Sequence, residues 1–303
     1  HILTQADLEG RTPPFDDAVS IGGWNLDDHP SGGFDLPHEE PFTSIPLPRV
    51  YNIPLRALYS RDVATLFIAG RNASCSHVAF SSTRVMATCA VMGQAVGTAA
   101  ALCTRHGLRP RQLYEDKGRL RELQQTLLRD DQSIRHAQNE DPGDRARQAT
   151  VTASGRVDRS HPESVINGRV RNPTADGVSH RWVAPMGPDG ARVELAWERP
   201  PRLAHVQITF DTGFHRELPL TSSDEHNSHI IRAPQPETVR DYTVLVRTPE
   251  GREVEVARVE GNHQRLRRHA FEPLEASAVV IRVTATNGSE NVSIYEVRCY
   301  SPE

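Results

Sequence analysis

The chain has 303 residues, 37% hydrophobic and 24% charged, with a formal net charge of -4. That length suggests two domains, and that composition excludes a disordered or collagen-like chain. A mildly acidic balance argues against a general nucleic-acid-binding role, and four cysteines with no CxxC pair argue against a disulfide scaffold or a cysteine zinc site.

The chain opens on His1-Ile2-Leu3-Thr4, which reads like the inside of a strand with no signal segment after it. The expectation is a chain that begins mid-protein. Residues 1–60 are rich in Pro, Gly and Asp. Gly22-Gly23-Trp24 and Asp28-His29-Pro30 lie in a stretch that reads as ordered loop, either functional or a plain surface connection.

Ala64-Thr65-Leu66-Phe67-Ile68-Ala69 is a short apolar run closed by Gly70-Arg71, and it reads as a buried strand. Ser81-Ser82-Thr83 offers an N-cap for a helix. The run Val85 to Cys103 carries no charge, and Arg105, His106 and Gly107 supply a basic last turn and a glycine stop. The run is long enough to span a membrane. Its Ala, Gly, Thr and Cys content, with Gln94 near the middle, favours a central helix buried on all sides instead.

Arg119 to Leu128 carries Leu120, Leu123, Leu127 and Leu128 at helical spacing. A polar stretch over 129–148 marks the domain boundary, which places a first domain at 1–145 and a second at 146–303. Beyond it the period becomes two: Val193, Leu195, Trp197; Val206, Ile208, Phe210; Tyr242, Val244, Val246; Val279, Ile281, Val283. Turn residues separate these runs, as expected of an all-β sandwich of antiparallel strands.

The set Leu66-Phe67-Ile68-Ala69-Gly70-Arg71, Ser74, His77, Ser82-Thr83-Arg84-Val85-Met86 and Gly93-Gln94-Ala95-Val96-Gly97 resembles the C-terminal signature of FAD-dependent oxidoreductases of the glutathione-reductase-like superfamily. Gly23-Trp24, Asp28-His29-Pro30, Tyr51-Asn52-Ile53-Pro54-Leu55-Arg56 and Leu123-Gln124 fit the same family, so the resemblance covers roughly residues 1–135. It implies an α/β fold and FAD as cofactor. Gly70, Arg71, Ser82, Thr83, Arg84, Val85 and Met86 would be the cofactor-binding residues. The helix amino end would face the flavin edge where negative charge builds up on reduction.

Oxidation of an alcohol by flavin needs a base for the hydroxyl proton. The candidates are His29 and His77, with Asp28 as orienter. The residues do not say which histidine is the base. A GxGxxG turn is absent from the chain. The expectation is therefore a partial FAD-binding fold, lacking the dinucleotide-binding turn, whose missing N-terminal half is a partner from the same precursor or a separate chain.

From 149 onward the sequence resembles discoidin-like, galactose-binding-like jelly-roll sandwiches, through Ala149-Thr150-Val151-Thr152-Ala153-Ser154, Glu163-Ser164-Val165-Ile166-Asn167-Gly168, Trp182, Val193-Glu194-Leu195-Ala196-Trp197 and Ile294-Tyr295-Glu296-Val297-Arg298. That resemblance implies sugar binding through loops. It leaves two readings of the metal: a structural calcium held by Asn167, Asp176 and Glu296, or a metal-free sandwich.

The combined expectation is hydride transfer from a hydroxylated, carbohydrate-like substrate to FAD, with neither nucleic acid nor membrane as partner. The alternative is a non-catalytic carbohydrate-binding protein with a flavoprotein remnant. The compartment stays open between a bacterial cytoplasm and an exported location.

Overall fold

A computed structural model of the protein describes residues 1–172, 179–216, 218, 220, 221 and 223–302. The chain divides into two compact units, His1–Asn139 and Glu140–Glu303.

In the first unit the elements are α1 (Gln5–Leu8), β1 (Ala18–Gly22), β2 (Leu26–Asp28), β3 (Thr43–Ile45), β4 (Tyr51–Pro54), α2 (His77–Thr83), α3 (Met86–His106), α4 (Pro110–Glu115) and α5 (Lys117–Arg129). Strand β1 pairs antiparallel with β4, and β2 with β3. Helix α5 buries Leu120, Leu123, Leu127 and Leu128, the face its spacing prescribes. Asp116 caps it by accepting from the Gly118 and Arg119 amides. Gly107 ends α3 at φ +65°, a left-handed residue that glycine adopts without a Cβ penalty. Pro110 opens α4, where its missing N–H is no loss.

Three local expectations give way here. Residues 64–69 form no strand: Phe67 makes a single bridge to Tyr59, and Leu66 stays exposed. The run is apolar enough, but a strand needs a neighbour along its length. Ser81, Ser82 and Thr83 do not cap α3. They form the last residues of α2, and Val85 is the N-cap of α3 without a side-chain bond. Finally, α3 is not buried all round. Thr88, Met92, Ala95, Ala99, Leu102 and Cys103 enter the core, while Ala90, Gly93, Gln94, Gly97 and Ala101 form an exposed face. The helix has the length and apolarity of a membrane span, but a third of its most apolar window (33%) packs inside the protein.

The second unit is a β-sandwich. Its strands are β5 (Thr150–Ala153), β6 (Trp182–Pro185), β7 (Ala191–Ala196), β8 (Arg202–Phe210), β9 (Val239–Arg247), β10 (Glu253–Val259), β11 (Leu266–Glu275), β12 (Ala278–Thr286) and β13 (Asn291–Tyr300). One sheet runs β10-β9-β12-β7-β5 and the other β11-β8-β13-β6, with every named pairing antiparallel. A short helix, α6 (Asp224–His229), lies between β8 and β9.

Alternation along β7 buries Ala191, Val193 and Leu195. They join Trp182, Phe210, Tyr242, Val244, Val279 and Ile281 in one core. Trp182 donates to the Gly155 carbonyl and Trp197 to the Arg145 carbonyl, both at 2.9 Å, so the two indoles are core residues with satisfied N–H groups. A register shift between Ile294 and Glu296 turns β13. It lets Val297 and Cys299 join Val292 and Ile294 in the core and leaves Glu296 and Arg298 to pair with each other at 2.6 Å, both buried.

Candidate functional site

The site is built where β2 meets α2 and the start of α3. Successive residues of a strand face opposite ways, and here Asp27 and Asp28 take different partners. Asp28 Oδ1 lies 2.9 Å from His77 Nε2. Asp27 lies against Arg84, whose Nη2 donates to the Asp27 carbonyl at 2.9 Å and to its carboxylate at 3.1 Å.

His77 is the first residue of α2, which Ser76 caps by accepting from the Ala79 amide. A carboxylate only accepts, so the short contact needs the proton on His77 Nε2. Neutral His77 then keeps Nδ1 as its basic nitrogen, with Asp28 fixing ring and tautomer. His29 is held differently. Its Nδ1 lies 2.8 Å from the Pro41 carbonyl and must carry the proton there, and its Nε2 is 3.8 Å from Asp27. The Asp28 pair thus goes to His77. Both members of it are partly solvent-exposed, with side-chain exposures of 71% and 39%.

Arg84 closes α2 and Val85 opens α3, so Arg84 immediately precedes the amino end of the long helix. The amides of the first turn of α3 have no acceptors within the helix, and Val85 gives no side-chain cap. Met86 and Ala87 there are exposed. This end is a site of positive potential open at the surface. Gly70 approaches it at φ +64°, in the turn Gly70–Asn72, and Arg71 Nε reaches the Arg84 carbonyl at 3.5 Å. Cys89 Sγ donates to the same carbonyl at 3.4 Å.

Ser82 and Thr83 sit behind this surface, buried. The Ser82 hydroxyl donates to the Trp24 carbonyl at 2.5 Å, so Tyr51 must be the donor in its 2.8 Å bond to Ser82. Burial pushes the Tyr51 phenol well above its usual range, keeping that donor protonated. Thr83 Oγ1 is engaged with Cys75 Sγ at 3.5 Å. The structure therefore brings His77, Asp28, Asp27, Arg84, Arg71, Gly70, Val85 and Met86 to one surface, with His29 at its edge. It turns the side chains of Ser82 and Thr83 inward as the support of that surface.

Sequence reasoning missed the β2–β3 pairing and the Tyr51–Ser82–Trp24 chain. Three-residue strands carry no readable period, and a bond between residues 51 and 82 has no local signal. It also missed Phe214 of the second unit, a half-exposed ring with the Arg171 and Arg265 guanidinium carbons 4.2 and 4.7 Å from its centroid.

Of the two readings of the metal, the described residues show no calcium set. Asn167 Oδ1 accepts from the Arg169 amide and its Nδ2 lies 3.3 Å from His180 Nδ1. Glu296 is committed to Arg298 inside the sheet, where the charge of the guanidinium already balances it. Asp176 lies outside the described residues. Among the described residues no group of three acidic, histidine or cysteine side chains could hold a metal ion.

Residues 1–127 match the family described as FAD dependent oxidoreductase. No curated protein matches the chain. Among solved structures it is similar to the family 32 carbohydrate-binding module of EndoD from Streptococcus pneumoniae, at 15% identity and a TM-score of 0.36, covering 51% of this chain and 96% of that one. It is similar to the family 32 module of NanJ from C. perfringens in complex with galactose, at 14% identity and 0.37, covering 52% and 96%. It is also similar to chitosan-binding module 1 of a chitosanase/glucanase from Paenibacillus sp. IK-5, at 14% and 0.39, covering 52% and 98%.

Proposed function

We propose that residues 1–145 form the C-terminal part of an FAD-dependent oxidoreductase and complete its cofactor and substrate site together with a dinucleotide-binding half. In this reading the substrate is a hydroxylated, carbohydrate-like molecule, and residues 146–303 form a carbohydrate-binding accessory module. One observation carries it: the uncapped amino end of α3 opens at the surface beside Arg84 and the His77–Asp28 pair. The match of residues 1–127 to the oxidoreductase family supports it.

The residues present suit a flavin. Bare helix amides, the Arg84 guanidinium and the open turn at Gly70 together favour a flat ligand that gains negative charge. The bound flavin would supply the hydride acceptor. Arg84, held by Asp27, keeps positive charge near the helix end. His77 Nδ1 takes the proton of the substrate hydroxyl as hydride leaves its carbon. Asp28 holds the ring and offsets the imidazolium that forms. For the second unit, the half-exposed Phe214 between basic side chains offers a sugar an apolar face with donors around it.

The test uses this chain co-expressed with a dinucleotide-binding half. A yellow complex whose flavin bleaches anaerobically on adding a sugar alcohol or aldose is the expected result. His77→Gln and Asp28→Asn should each slow bleaching by about 10²- to 10⁴-fold with flavin content unchanged. A colourless complex that is still retained on a sugar column would overturn the reading in favour of a non-catalytic binding protein.

A further inference from the structure

The first unit holds a cavity of about 210 Å³, lined by residues of the turn after α1, the start of β4 and the segment around residue 135. Two arginines reach it, Arg49 and Arg135. Each is placed by the local chain. Arg49 lies over Gly10, which sits at φ +72°, and a Cβ there would stand 2.9 Å from Arg49 Nη2. Arg135 is fixed by a reciprocal pair: its amide donates to Asn52 Oδ1 at 2.8 Å and Asn52 Nδ2 donates to its carbonyl at 3.0 Å.

Neither guanidinium has an ion-pair partner among the described residues, and Nε of Arg135 is buried with no hydrogen-bond partner. Burial, and then the charge of Arg49, lower the pKa of Arg135 from its usual value. Two like charges beside one cavity, one of them with a buried donor unanswered, are costly unless something answers them. The carboxylate in the wall does not do so. Asp7 Oδ2 accepts from the Thr4 amide and hydroxyl at 2.8 and 2.9 Å, and its Oδ1 from Thr12 at 2.8 Å.

We infer that the cavity between Arg49 and Arg135 is a binding site for an oxyanion, the phosphate or carboxylate group of a small molecule. Guanidinium forks suit both groups, because parallel N–H donors match two oxygens of either. Pro13, Phe15 and Tyr51 give the rest of the ligand apolar walls. The lining shares no residue with the set His77, Asp28, Asp27 and Arg84, and the inference stands whether or not the chain is a flavoprotein.

Calorimetric titration of the full chain at low ionic strength, with chloride as the control, tests it. Inorganic phosphate represents the phosphate source and glucuronate the carboxylate source. One or both should bind at a single site, and the tighter identifies the source. Arg135→Gln and Arg49→Gln should each weaken that probe at least about ten-fold. Phenylglyoxal modification of the unmutated chain, mapped by mass spectrometry, should slow at Arg49 and Arg135 when the probe is present, and this readout does not depend on a variant folding. Failure of both probes to bind, equal binding by folded variants, or unprotected modification would each overturn the inference.

Discussion

The two units treat their apolar surface differently. The sandwich seals its own core: Trp182, Phe210 and Val244 are fully or almost fully buried, and its exposed large apolar side chains among the described residues are Phe214, Leu220 and Ile231, all between β8 and β9. The first unit leaves Trp24, Phe34, Phe42, Ile45, Val63, Leu66 and Met86 exposed, and one whole face of α3 besides. A sheet pair with period-two strands closes on itself, because each strand offers one apolar face and the two faces meet. Exposed apolar side chains mark a site of interaction where they lie together in one patch. Under the proposed reading, the dinucleotide-binding half packs against some of them.

The largest blow to this contrast is Phe210→Ala. Removing a fully buried ring should cost about 3–5 kcal/mol. Hydrogen exchange should show lost protection across the strands β5 to β13 while α5 and the core half of α3 keep theirs. Equal loss in both units would show that their cores are not independent.

A middle-sized effect comes from acid. His269 Nε2 on β11 lies 3.0 Å from the Tyr242 hydroxyl, and burial brings its pKa down to about 4 from the usual 6.5. The unfolded chain therefore binds the proton first. Stability from neutral His269 is fully present above about pH 6.5 and is lost progressively as the pH falls to about 4. Urea unfolding of the sandwich should show this decline, and His269→Gln should flatten that part of it. An unchanged pH profile would remove His269 from the account.

The smallest effect sharpens the picture of α3. A Cβ on Gly93 or Gly97 would meet nothing within 4 Å. Gly93→Ala should therefore stabilise this chain by up to about 1 kcal/mol, through helix propensity alone. A drop in melting temperature would mean that the face is covered in solution.

Much of the fold was legible where a local period repeats. The leucines of α5, the stop at Gly107 and the alternating residues of β7, β8, β9 and β12 stand where their spacing puts them. Residues 64–69 misled, because an apolar run states only that burial is favourable and not that a partner strand exists. Ser81–Thr83 misled because a run of hydroxyl residues can end one helix as readily as begin the next. Helix α3 misled because residues without charge tolerate both burial and exposure when they are small. Of the site, the residue types and their neighbourhood in the chain were readable, and their pairing was not.

The amino-acid order by itself set the alternating strands β7, β8, β9 and β12 and the glycine end of the long helix, since these follow from backbone preference and from neighbours within a few residues. Only the tertiary structure gave Asp28 to His77 rather than to His29, turned Ser82 inward to Tyr51, and stood Arg49 next to Arg135. It also decided, through one slipped residue in β13, that Val297 enters the core and Glu296 faces Arg298. Each of these depends on which distant segment lies alongside, and a shift of one residue reverses a side chain, so no local pattern encodes it.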